Sequence, residues 1–312
     1  MGEVLHAIKV FFESLAAVQF SALGLAIGCH VLKTMCTSRA WRNTLAYSYP
    51  DTEVRWRSIY AAYLSGVGVN AIIPARAGDA VRLYIAHRAV PVSTYTTLAS
   101  SLLVLSVFDT AMALLIFAYA LTLGVLPGVH SLGRLPGFDF GFFVGNPEFS
   151  AVLLIVLAIF GTIGFFWARI HIDEFKQHIG QGLAVLRDRT EYLHRVALWQ
   201  AGDWALRFVA IWFFLDAFGI PQSIRNVLLV QVTQSLATLV PISPGGIGTE
   251  QAFIVYVFSG TAIGRATLIA FSVGMKLTLI VTNVILGFTA LFLTLGHTDW
   301  RSLAGKNPAS EP

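Results

Sequence analysis

Asn70-Ala-Ile-Ile-Pro74-Ala-Arg76-Ala-Gly78-Asp79-Ala-Val-Arg82 interrupts an apolar stretch running from Ser58 to Ala89. A second stretch, Asn226 to Gly260, is interrupted by Leu239-Val-Pro241-Ile-Ser243-Pro244-Gly245-Gly246-Ile-Gly248-Thr249-Glu250. Proline removes a backbone donor and clashes with the preceding turn, so a helix breaks at Pro74, and again at Pro241 and Pro244. Gly78, Gly245, Gly246 and Gly248 relax the backbone further. Each stretch therefore reads as helix, break, helix. At membrane depth such a break must be wrapped in protein or line a watery cavity.

The composition says that membrane depth is the right setting. Of 312 residues, 56% are hydrophobic and 12% are charged, the latter about half the usual share. One soluble core cannot hide that much apolar surface, so the chain reads as a polytopic membrane protein. A disordered chain is excluded. So is a disulfide scaffold, since Cys29 and Cys36 are the only cysteines. Lys and Arg number 21 against 17 Asp and Glu, for a net charge of +4. These cations fall between apolar runs rather than along an aromatic-studded stripe, which argues against nucleic acid.

Runs of about 20 residues with few charges mark the spans. They are 14–32, 95–126, 149–168, 198–219 and 266–295. Asp109 is the only charge in the second and Lys276 the only one in the last. The first is not a cleaved signal peptide: its flank is mixed in charge and no small-residue cleavage site precedes Lys33. Lys33, Arg39, Arg42, Arg55 and Arg57 follow the first run, and Arg169, Lys176, Arg187, Arg189 and Arg195 the third. The positive-inside rule puts both sides in the cytoplasm. The loop after Leu126, as far as Glu148, holds Arg134 as its only Lys or Arg and reads as external. The N-terminus is then outside and the C-terminal tail, 297–312, inside.

This topology leaves 58–89 entering and leaving from the cytoplasmic side. It leaves 226–260 doing so from the outer side, although Arg225 and Arg265 flank it there. Both read as re-entrant helical hairpins of opposite orientation. The expected architecture is a single all-α membrane domain over 1–312, with five spans and two opposed hairpins forming an inverted repeat. In each half a hairpin with a proline–glycine break precedes a long span with one internal charge. Transporters use this device, with the ligand near the midplane.

The two broken motifs carry a resemblance. Ile73-Pro-Ala-Arg-Ala-Gly-Asp-Ala-Val-Arg82-Leu-Tyr and Leu239-Val-Pro-Ile-Ser-Pro-Gly-Gly-Ile-Gly248 resemble the paired signatures of the lysylphosphatidylglycerol synthase membrane-domain family. The resemblance extends from about Ser14 to Leu295. It implies a flippase-like domain that moves aminoacylated phosphatidylglycerol or other polar lipids between leaflets. Full synthases add a soluble aminoacyl-transferase domain. This chain ends at Pro312, so a transporter without that enzymatic activity is expected. Two departures stand out: an extra leading helix is missing, and Leu105 and Ser106 occupy places where members often carry an acid–arginine pair before Asp109.

Several residues are candidates for head-group chemistry. Arg76, Asp79 and Arg82 share a helix face at i, i+3 spacing. Just past a break they can meet a lipid phosphate, or can simply neutralise one another with Arg82 snorkelling. Ser243, Gly245 and Gly246 let backbone approach a head group. Glu250 faces it, or else supports a helix start capped by Thr249. Asp109 and Lys276 are intramembrane charges, expected to face each other across the centre as a functional or structural pair. Asn70, Gln231, Thr233, Gln234, Thr278 and Asn283 line a polar path or bond between helices.

Ile172, Phe175, Ile179, Leu183 and Leu186 recur at helical spacing within 170–196. That segment is either an amphipathic helix in the cytoplasmic interface or a loop helix packed on the bundle. The sequence has no HExxH, no G-x-S-x-G and no Walker loop. No catalytic set, cofactor or metal site is therefore expected. The expected function is translocation of a phospholipid or glycolipid across the plasma membrane. The alternative is an accessory subunit or enzyme acting on a glycolipid or polyprenyl-linked lipid. A separate lipid-modifying enzyme and a second copy of the chain are the partners this reading admits.

Overall fold

Ala22, Ala26, His30, Thr34, Ser38, Trp41, Leu45 and Ser48 are buried along one side of a single helix, Phe20–Ser48 (α1). Steps of three and four keep that stripe facing its neighbours. The computed structural model describes residues 17–73, 76–122, 172–239, 248–259 and 261–295. The helix outruns the expected end at residue 32. Lys33 ends the uncharged run but not the buried stripe, and the stripe is what holds a helix together. Lys33 thus lies within α1 rather than beyond its end.

The chain then forms α2 (Trp56–Ile72), α3 (Ala77–Ala89), α4 (Tyr95–Thr122) and α5 (Ile172–Gly182). A short 3-10 turn at Ala184–Arg187 follows, and turns over 189–197 lead into α6 (Leu198–Ala217). The remainder is α7 (Ile224–Leu239), α8 (Thr249–Val257) and α9 (Arg265–Leu295). No strand occurs among the described residues. Among the described residues three helices are long and apolar enough to cross a membrane: Phe20–Ser48, Tyr95–Tyr119 and Arg265–Thr294. The expected span at 149–168, the tail at 297–312, and Pro74, Pro241, Ser243, Pro244, Gly245 and Gly246 lie outside the described residues.

Helix α1 packs along α6. The two are antiparallel: Gln19 N–H donates to Ala217 O at 2.9 Å, Thr37 Oγ1 to Asp203 Oδ1 at 2.6 Å, and Asn43 Nδ2 to Arg195 O at 2.8 Å. Helix α2 packs on α3 and on α9, and α7 packs on α8 and on α4. Backbone meets backbone at the α2–α9 crossing. A Cβ on Gly68 would stand 2.6 Å from Gly287 Cα, so nothing larger than glycine fits at either position.

Buried apolar side chains form two clusters. One gathers Phe214, Phe258, Leu268 and Phe271; the other gathers Trp41, Leu45, Ile59, Ile85, Leu98 and Val185. The described part of the 170–196 segment, 172–196, packs on the bundle beside the second cluster. Ser48 Oγ donates to Gln181 O and Gln181 Nε2 donates back to Ser48 O, each at 2.9 Å. Gly182 lies so close to α4 that a Cβ there would collide with Ser100 Oγ. Leu183 and Leu186 face inward, while Lys176, Arg187 and Arg189 are exposed. On α9, Ile269, Leu277, Val281, Ile285, Phe288 and Phe292 form an exposed apolar stripe.

Candidate functional site

The first broken element closes on itself. Arg76 adopts left-handed backbone (φ 57°) and caps the start of α3. Gly78 then presses against α2: a Cβ there would collide with Gly66 O. Asn70 crosses the gap, accepting from Gly78 N–H at 2.7 Å and donating to Asp79 Oδ1 at 3.1 Å. Asp79 also takes Arg82 at 2.6 Å and Arg76 at 3.0 Å. The self-neutralising arrangement is therefore the one formed, and the two arginines differ. The Arg76 side chain is 83% exposed and that of Arg82 14%. Arg82 lies 5.6 Å from the ring centroids of both Trp41 and Tyr63, a cation–π clamp joining α3 to α1 and α2.

The second broken element is tied outward instead. Gly248 (φ 90°) is the residue before α8, and its N–H donates to Gln251 Oε1 at 2.5 Å. The cap is thus Gly248 rather than the expected Thr249, because positive φ favours glycine. Glu250 is buried and accepts from Lys276 Nζ of α9 at 3.0 Å. Gln251 Nε2 donates to Ser272 Oγ at 3.1 Å. Two contacts therefore staple α8 to α9.

The expected Asp109–Lys276 pair does not form. Lys276 turns to Glu250, and Asp109 accepts from Trp204 Nε1 at 2.9 Å. Depth in the sequence placed both charges mid-helix, but the facing side of α9 chose the partner. Of the polar candidates, Asn70 bonds across its hairpin. Asn283 Oδ1 lies 2.8 Å from His30 Nε2 of α1. Thr233 and Thr278 donate to carbonyls of their own helices, and Gln231 to Ser235.

A further polar group between the two apolar clusters was not singled out from the sequence. Asp203 is buried, holds Thr37 at 2.6 Å, and pairs with Arg207 at 3.1 Å. Arg207 also lies 4.4 Å from the Trp204 ring centroid. Asp203 and Arg207 four residues apart on one apolar helix were the available signal.

A bundle of long apolar helices with ion pairs beside its breaks defines the class: an α-helical integral membrane protein. Residues 7–287 match the family model described as the lysylphosphatidylglycerol synthase TM region. The chain belongs to that family. No curated protein and no solved structure matches it.

Proposed function

We propose that this chain moves a lipid with a polar head group between the leaflets of the plasma membrane, as a transporter rather than an enzyme. One observation carries the reading: the packing partners of the two halves exchange. With α1, α2–α3 and α4 set against α6, α7–α8 and α9, three contacts between these helices have counterparts, while the packing of α5 on α4 has none. The pairs are α2 on α9 with α7 on α4, α1 on α2 with α6 on α7, and α3 on α4 with α8 on α9. Two units related by a twofold axis in the membrane plane would produce this pattern. The antiparallel α1–α6 contact lies where that axis would pass.

On this reading the hairpins enter from opposite sides, with the N-terminus outside and the C-terminus in the cytoplasm. Their ion pairs are exchangeable. Arg82 can pass from Asp79 to a head-group phosphate, and Glu250 from Lys276 to a head-group cation. Each exchange swaps one charge partner for another, so no bare charge is left in a low-dielectric setting.

The test is leaflet exchange in proteoliposomes, with fluorescent lipids bearing anionic, zwitterionic, aminoacylated and glycosylated head groups. Wild-type protein is expected to speed one class, and Asp79→Asn and Glu250→Gln each to slow it by about tenfold or more. Exchange that is absent for every class, or equal in both variants to wild type, defeats the reading.

A further inference from the structure

Helices α1, α6, α7 and α9 line a partly open cavity of about 140 Å³. His30, Lys33, Arg207, Gln234, Met275 and Leu279 are among its lining residues. Lys33 and Arg207 stand at the middles of α1 and α6. Asp79, Arg82, Glu250 and Lys276 are not among its described lining residues, while the Asp203–Arg207 pair borders it through Arg207.

Its polar wall is rich in donors and poor in acceptors. Among the described residues the Lys33 ammonium has no carboxylate within ion-pair distance. Arg207 gives one terminal nitrogen to Asp203, and its buried Nε–H has no partner there. Among the described residues the Gln234 amide nitrogen reaches only Met275 Sδ, at 3.9 Å, a weak acceptor. The nearby carboxylates make no direct contact with Lys33. Asp203 holds Thr37 and Arg207, and Asp109 holds Trp204. Both act on Lys33 only through space.

An unpaired ammonium, beside a guanidinium whose Nε–H edge is still free although Asp203 balances its charge, is expensive inside an apolar bundle unless an acceptor joins them. The partner that satisfies an ammonium and a guanidinium edge together is a multi-oxygen anion. We propose that this cavity binds a phosphate-type oxyanion, carried in on a lipid head group. The anion site stands on the cavity alone; assigning the phosphate to a lipid rests on the transport reading.

The experiment uses the full chain purified in detergent. Binding and thermal midpoint are measured with dioleoylphosphatidic acid, dioleoylglycerol and inorganic phosphate. Phosphatidic acid is expected to bind and raise the midpoint, and dioleoylglycerol to do neither. Lys33→Gln should weaken binding by about tenfold or more, Lys33→Arg should retain it, and Gln234→Leu should weaken it less. Lipid-free Lys33→Gln should unfold no earlier than wild type, because it removes an uncompensated cation.

The site is overturned if dioleoylglycerol binds as well as phosphatidic acid. Unchanged affinity in Lys33→Gln overturns it too, as does an early-unfolding Lys33→Gln, the mark of a structural ion pair. Lys33-dependent protection by inorganic phosphate, with none by phosphatidic acid, overturns the lipid assignment. Leaflet exchange separates the two readings. No flux with intact Lys33-dependent binding defeats transport alone; flux with Lys33-independent binding defeats this site alone.

Discussion

The two broken elements hold their acids differently. Asp79 is bracketed within its own hairpin by Asn70, Arg76 and Arg82, and its side chain is 26% exposed. The Glu250 side chain is 5% exposed and reaches to another helix for Lys276. The first is a local clamp that travels with the hairpin. The second is a tie between α8 and α9, which α8 cannot leave without stranding a charge. Two helix–break–helix elements of one chain can therefore carry charge either as a local clamp or as a latch.

Four substitutions break or sharpen this contrast. Glu250→Gln leaves Lys276 uncompensated and should cost about 3 kcal/mol, the low end for a buried pair because Lys276 keeps some exposure. Unfolding of purified protein in mixed micelles measures it, and adding Lys276→Met should restore most of the loss. Gly78→Ala forces a Cβ against the Gly66 carbonyl and should cost about 2 kcal/mol by overpacking. Gly24, where an added Cβ would meet nothing within 4 Å, is the control and should tolerate alanine.

Asp79→Asn should cost only about 1 kcal/mol, since an amide keeps a hydrogen bond to Arg82. A loss as large as that of Glu250→Gln would erase the distinction between clamp and latch. Arg76→Ala should leave the same unfolding curve unchanged, its side chain being mostly in the open. A shift there would mean that the exposed arginine anchors the break.

Much of the helical layout is legible in the sequence, because apolar runs and proline breaks are local signals. The breaks before Ala77 and Thr249 follow from Pro74 and from Pro241 and Pro244, and the paired motifs identify the family. Partners are not legible in the same way. His30 meets Asn283 across 253 residues and Thr37 meets Asp203 across 166. No local pattern encodes either meeting. A search for uncharged runs ends α1 at Lys33, because it weighs hydropathy and not which side of a helix is covered. The same rule files Lys33 with the flanking cations, and so hides the cavity that it lines.

The bare stripe on α9 has a physical length. From Ile269 to Phe292 it measures about 34 Å at 1.5 Å per residue. A typical hydrocarbon core is about 30 Å thick. Such an excess is relieved by leaning or by locally thickening the bilayer. Gly68 and Gly287 touch without interlocking side chains, so a lean of α9 is passed to the first hairpin through bare backbone. Acyl-chain length is therefore a mechanical input to this protein, and a bilayer of short-chain lipids would set its central helices at a different pitch from one of long-chain lipids.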